Sequence, residues 1–472
     1  MPTGPHANIS PDKTAILAII LISYVMIVLD ISIVLTGLPR IHAELGFRDA
    51  GLAWVSTAYT LTFGGCLLLG ARAGDIFGRR RMFLVGLTIF SFASLVIGMS
   101  QTPAVMIAAR ALQGLGSAIL APSTLALLQT NFEPGPERTR AVSYYAAAAG
   151  VSAAFGLVIG GLLADWLSWR VGFFINLPVG IAMMVAAKRY VRETQKTPGT
   201  FDIAGAIIST LGIVALVYGV IRSASTGWTD VMTGACIGLG LVMLILFAVV
   251  ESRASQPIMP LSLFADRERS AAYAARALFL GANVGFYFFV AQFLQSVVGL
   301  SSSQAGIVFL PTTVMNFIIA MSTPRLIGSY GAGRVLVTSV LTGLIGMIWL
   351  SFAMQQASLA ALVIPMMLIG AGQGGALGPL TASGIVRVPS ERAGAASGVV
   401  NVAHQLGSSL GLGVLVAVAA LGSQGLRGTA LLARRASLAI ETGSALIALT
   451  LILAVLFITR PHSPPETTST TA

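Results

Sequence analysis

The sequence predicts an all-α polytopic membrane protein, a bundle of fourteen transmembrane helices, and three observations carry that reading. Charged residues make up only 10% of the 472 positions while 56% are hydrophobic, against about 25% charged in an ordinary soluble domain. Apolar windows of about 19 to 28 residues recur fourteen times along the chain, each long enough to cross a hydrocarbon core about 30 Å thick. The windows are continuous and rich in Gly, Ala and Leu. Strands of a closed barrel would alternate instead, so in hydrocarbon these segments must satisfy their backbone as helix.

The net charge of +11 raises nucleic acid as a partner, but the placement of the charge removes the motive. If the chain begins in the cytoplasm, nineteen Lys and Arg residues fall in cytoplasmic segments and seven on the opposite face. That is the positive-inside bias, and it puts both termini in the cytoplasm of a cell with the protein in its inner membrane. Cys66 and Cys236 lie in apolar windows, so neither a disulfide framework nor a paired-cysteine metal site is expected. None of Lys13, Lys188 and Lys196 follows a glycine, which excludes a phosphate-binding loop. The four histidines are scattered at His6, His42, His404 and His462. No catalytic cluster follows from them, so no enzyme activity, metal or other cofactor is expected.

The chain repeats weakly at an offset of roughly 254 residues. "DAGLAWVST" from Asp49 echoes "QAGIVFLPT" from Gln304, and "FGRRRMFLVG" from Phe77 echoes "YGAGRVLVTS" from Tyr330. "QGLGSAILAP" from Gln113 and "ERTRAVS" from Glu137 have counterparts from Gly370 and Glu391. Spans one to six therefore match spans nine to fourteen, with two unpaired spans between. The organisation is a cytoplasmic tail (1–13), a six-helix bundle (14–192), inserted helices seven and eight with their linker (193–252), a second six-helix bundle (253–460) and a disordered tail (461–472).

The first span contains Asp30 within "VLDISIVLTGLP". A charge in hydrocarbon costs at least about 2.5 to 3.5 kcal/mol. Counted from Thr14, Asp30 lies about 24 Å into an outward-running helix, and Arg110 lies about 9 Å inside the outer face on the inward-running fourth span. The two share a depth, so pairing inside a cavity is favoured over snorkelling for Arg110. Between the second and third spans, "ARAGDIFGRRRMF" places Asp75 where two helix ends meet. There it can cap a helix amino terminus or pair with Arg79. In the fifth span Gly156, Gly160 and Gly161 offer a close-packing surface. Tyr59, Gln292, Gln295, Asn401 and Gln405 are polar residues within spans that can line a substrate cavity. His404 lies close to the midplane, where a neutral histidine is expected. Arg276 lies within about two turns of a membrane face, which points to interfacial anchoring.

"ARAGDIFGRRRMF" resembles the cytoplasmic-loop motif of the major facilitator superfamily, G-x-L-a-D-r-x-G-r-r, with Ala71 where glycine is usual. By that resemblance Asp75, Gly78, Arg79 and Arg80 form the latch of the cytoplasmic gate. Its second-half copy has Gly328 in place of the aspartate and is the weaker one. "RALQGLGSAILAP" is similar to the family's fourth-span motif through Arg110, Gln113, Gly114 and Gly116. "GLVIGGLL" resembles the antiporter motif, with Leu157 where proline is usual. Together with "WRVGFFINLPVG", "FDIAG", "GLSSSQAGIVFLP" and "ASGVVNVAHQLGSSLGLGV", the chain looks like the fourteen-span drug/proton antiporter branch, the EmrB/QacA type. The resemblance implies two six-helix bundles with substrate bound between them, and proton-coupled export of amphipathic small molecules by a monomer in the lipid bilayer. Asp30 and Arg110 would be the proton-coupling pair. Some members of that branch work with a periplasmic adaptor and outer-membrane channel, and the sequence leaves such partners open. An uptake symporter for a metabolite is the alternative, separated by the direction of transport under a pH gradient.

Overall fold

The computed structural model describes residues 11–133, 135–194, 203–253, 259–356, 358–389, 393–423 and 425–459. Residues 1–10 of the expected amino-terminal tail and the whole tail 461–472 lie outside the described residues, as do Lys196, Phe201, Glu391, Arg392 and Arg460. The described chain is helical throughout, with no strand among the described residues.

The first bundle comprises α1 (Pro11–Leu45), α2 (Asp49–Phe77), α3 (Arg79–Gly98), α4 (Pro103–Asn131), α5 (Pro136–Trp166), α6 (Trp169–Phe174) and α7 (Asn176–Tyr190). Two helices follow, α8 (Ile203–Thr226) and α9 (Val231–Arg253). The second bundle comprises α10 (Arg267–Ser296), α11 (Ser302–Val308), α12 (Leu310–Tyr330), α13 (Ala332–Ala353), α14 (Leu359–Gly384), α15 (Ala393–Leu421) and α16 (Gly428–Leu453). Among the described residues, thirteen helices are long and apolar enough to cross a membrane, α6 with α7 and α11 with α12 each counting as one. Helix α5 is 31 residues long, and the apolar stretch among its described residues is Phe155–Trp166.

Local chemistry sets the helix boundaries. Thr102 caps α4 by accepting from the backbone N–H of Val105, with Pro103 in the first helical position, where its missing N–H costs nothing. Asp266 caps α10 through the N–H of Arg269, and Ser301 with Gln304 forms a capping box at α11. The α2–α3 and α12–α13 junctions turn on Gly78 (φ 105°) and Gly331 (φ 85°), a backbone region that L side chains disfavour. The breaks at α6–α7 and α11–α12 each precede a proline, Pro178 and Pro311, which withdraws one backbone donor from the helical ladder.

The two bundles use one packing plan. In the first, α1 packs on α5, α2 on α4 and α3 on α4; in the second, α10 packs on α15, α12 on α14 and α13 on α14. Glycines allow these close approaches. A Cβ on Gly114 would stand 2.3 Å from the carbonyl oxygen of Tyr59, and one on Gly374 would stand 2.3 Å from that of Asn316. Helix α8 sits against α2, α9 and α15. Helix α9 is peripheral: four of its residues are buried, while Val231, Val242 and Ile245 project outward on an apolar face suited to lipid.

Candidate functional site

The chemistry concentrates inside the first bundle. Helices α1 and α4 bring Asp30 and Arg110 together, both 1% exposed. Arg110 Nη1 donates to Asp30 Oδ2 at 2.5 Å and to Gln113 Oε1, while its Nε donates to the carbonyl of Val55 at 2.9 Å. Gln113 Nε2 donates to the other oxygen of Asp30 at 2.8 Å and to Ser94 Oγ at 2.8 Å. Asn176 Nδ2 reaches the same two acceptors, each at 3.2 Å. The guanidinium lies 4.4 Å from the ring centre of Tyr59, whose hydroxyl bonds Ser117 Oγ at 2.8 Å. Both carboxylate oxygens are therefore engaged and the guanidinium is stacked, which is how a buried ion pair offsets its desolvation. The residues come from α1, α2, α3, α4 and α7, so a change of charge at Asp30 is felt by most of the bundle.

Tyr59 belongs to this network and has no exposed surface, which corrects its expected place on a substrate cavity. Ser94 and Asn176 were not anticipated. Asn176 had a signal, a lone amide in the apolar run "FFINLPVG"; Ser94 had none, because serine is common in helix interiors and usually bonds its own backbone.

At the α2–α3 junction Asp75 pairs with Arg79 at 3.2 Å, and Arg79 Nη1 also reaches the carbonyl of Ala126. The amino terminus of α3 is capped from elsewhere: Glu193 accepts from the N–H groups of Arg80 and Arg81, both at 3.0 Å. Thr194 Oγ1 accepts from that of Arg79. Of the two roles open to Asp75, the structure shows the ion pair. A Cβ on Gly78 would stand 2.6 Å from the Glu193 carboxyl group, so the glycine admits the capping segment. Arg80 Nη1 bonds the carbonyl of Val191 in that segment.

The fifth-span glycines divide their work. Gly156 and Gly160 let α5 approach Ser32 and Ile33 of α1, whereas a Cβ on Gly161 would stand 2.4 Å from the carbonyl oxygen of Ser302 at the start of α11. Next to it, Asp165 accepts from the N–H groups of Ser302 (3.1 Å) and Ser303 (2.7 Å) and pairs with Arg40 of α1 at 2.8 Å. Gln295 Nε2 bonds the carbonyl of Thr36 at 3.2 Å, and its Oε1 accepts from Ser302. Gln295, expected on a cavity wall, thus ties the two bundles together at the face opposite the start of α1.

Gln292 lines a cavity at that same face with Phe288, Phe289, Phe293 and Val416. Gln405 packs where α15 crosses α2, its Cβ 2.7 Å from where one on Gly64 would stand, and Asn401 is exposed and bonds the Ser397 carbonyl of its own helix. His404 meets Arg276, whose Nη2 donates to its Nδ1 at 3.2 Å. Arg276 is 7% exposed and sits about 13 Å along α10 from Arg267. It does not snorkel to a membrane face, which corrects the expected interfacial anchor.

A bundle of apolar helices in two matching halves, with a buried ion pair in one of them, defines a multi-pass membrane transporter. The chain belongs to the Major Facilitator Superfamily, whose profile matches residues 20–412. It is 35% identical to the cephamycin export protein of Amycolatopsis lactamdurans over 99% of this chain and 96% of that one. It is also 37% identical to the puromycin resistance protein of Streptomyces alboniger, over 84% of this chain and 80% of that one. Among solved structures, a POT family transporter in complex with 5-aminolevulinic acid shares the fold with a TM-score of 0.71 at 12% identity, over 94% of this chain and 96% of that one.

Proposed function

We propose that the protein is a proton-coupled secondary exporter of amphipathic small molecules of the fourteen-span branch, with α5 as the additional span and both termini cytoplasmic. The carrying observation is the Asp30–Arg110–Gln113 network buried in the first bundle. Relatives named for antibiotic export and resistance support the direction of transport.

The chemistry runs through the charge on Asp30. While Asp30 is ionised, Arg110 holds it and α1 is locked to α4. A proton arriving from outside neutralises the carboxylate, weakens its hold on Arg110 and loosens that lock, and substrate leaves outward. The proton departs once the halves rock inward and Arg110 pairs with the carboxylate again. At roughly 150 mV, one inward proton supplies about 3.5 kcal/mol, enough for roughly a 300-fold gradient of a neutral solute. Asp75, Gly78, Arg79 and Arg80 close the cytoplasmic gate, and the contacts of Gly161 and Asp165 with α11 close the opposite one. The test is substrate-dependent proton flux in proteoliposomes under an imposed pH gradient. Compound-driven proton movement in wild type that is lost in Asp30→Asn is the expected result; equal flux in both sinks the mechanism.

A further inference from the structure

Arg276 differs from the other buried arginines. Arg110 holds a carboxylate, and Arg269, besides donating to the carbonyls of Leu263, Ser262 and Val386, has the Asp266 carboxylate as a charge partner. Arg276 has neutral partners only: Thr381 Oγ1 at 2.7 Å, the Leu377 carbonyl at 3.5 Å and His404 Nδ1 at 3.2 Å. Its Nε is buried with no hydrogen-bond partner, and among the described residues no carboxylate pairs with it. A buried guanidinium without an anion is costly, and a chain that keeps one inside a transport bundle holds a receptor for negative charge. His404 adds to it. Because Nδ1 accepts from Arg276, the neutral ring carries its proton on Nε2, and that donor has no described acceptor. Thr381 accepts a hydrogen bond from Arg276 and its hydroxyl donates one to the Leu377 carbonyl, which holds the guanidinium in place without neutralising it.

Resting on the export reading above, we propose that Arg276, His404 and Thr381 form an oxyanion subsite in the second bundle that takes the carboxylate of an amphipathic anionic substrate. The division of labour is then physical. The first bundle carries a self-neutralised pair that responds to protons, and the second carries an uncompensated cation that the substrate itself neutralises. Substrate and proton meet different charges, so one need not displace the other.

The test compares a fluorescent carboxylate, pyrenebutyrate, with its neutral amide, binding to the full-length protein in nanodiscs of zwitterionic lipid with no gradient. Wild type is expected to hold the carboxylate about tenfold more tightly, the worth of one charge-assisted contact. Arg276→Gln should abolish that preference and leave amide affinity within about twofold, while Arg276→Lys should keep part of it. Equal affinities in wild type, no binding of either compound, or a preference that survives in Arg276→Gln would each overturn the proposal, and the wild-type result alone decides should Arg276→Gln fail to fold. Nanodiscs containing phosphatidylglycerol separate the two sources of an oxyanion. Undiminished preference there supports a soluble substrate, and its loss assigns the subsite to a lipid headgroup and overturns the substrate role. Because no gradient is used, failure here leaves proton-driven export standing, and loss of coupling in Asp30→Asn leaves this subsite standing.

Discussion

Arg110 Nη1 lies 2.5 Å from Asp30 Oδ2, with both side chains 1% exposed, so the two charges of the first bundle neutralise each other out of reach of water. Replacing one partner without replacing its charge strands the other. Asp30→Ala is expected to destabilise the protein by about 3–5 kcal/mol, and a double replacement that also removes the Arg110 charge should recover part of the loss. Asp30→Asn also removes the charge but keeps an acceptor for Arg110, so it should lose less stability than Asp30→Ala, remain folded, and bind substrate without coupling it to a pH gradient. Thermal unfolding in detergent and efflux in inverted vesicles read the two effects separately.

Asp75 pairs with Arg79 within the same turn of the α2–α3 junction, and its side chain is 40% exposed, so it contributes little to folding. Asp75→Asn should therefore express and melt like wild type but close the cytoplasmic side poorly. Cysteine labelling from that side should rise in the variant; unchanged labelling together with unchanged transport would remove the gate role.

Gly161 has the Ser302 carbonyl where a side chain would go, at 2.4 Å. Gly161→Val should force α5 away from α11, cost about 1–3 kcal/mol and lower the transport rate. Gly328→Ala is the control, because a Cβ there meets nothing within 4 Å. Similar losses in the two variants would deny α5 its part in closing that face.

Asp266 caps α10 in the loop before the second bundle. Partial burial works to raise its pKa, but the N–H of Arg269 and the guanidinium of Arg387 outweigh that and hold the carboxyl below its usual range. A depressed folded-state pKa stabilises the protein above the unfolded value of about 3.9 and ceases to do so as pH falls through the folded value. Asp266→Asn should melt earlier than wild type at pH 7, and the gap should close below about pH 4. A gap that persisted in acid would mean that the charge is irrelevant to the cap.

Topology is checked by reporters fused to the carboxyl terminus. A cytoplasmic reporter should be active and a periplasmic one silent, as the loop charges require; the reverse would remove α5 from the count of spans.

The sequence by itself determined the class of fold, because a helix in hydrocarbon needs only length and apolarity to be recognised, and both are local properties. Depth along a helix is also local, at 1.5 Å per residue, so Asp30 and Arg110 could be matched across 80 positions before any contact was known. What depth cannot supply is azimuth. Whether Tyr59 faces a cavity or Arg110, whether Gln295 lines a wall or ties two bundles, and whether Arg276 anchors at an interface or turns inward all depend on rotation about the helix axis, and neighbouring helices set that rotation. For the same reason the cap that Glu193 places on α3 from 113 residues away and the shared use of Ser94 by Gln113 and Asn176 belong to the tertiary structure alone. Each joins residues whose separation along the chain carries no trace of their separation in space.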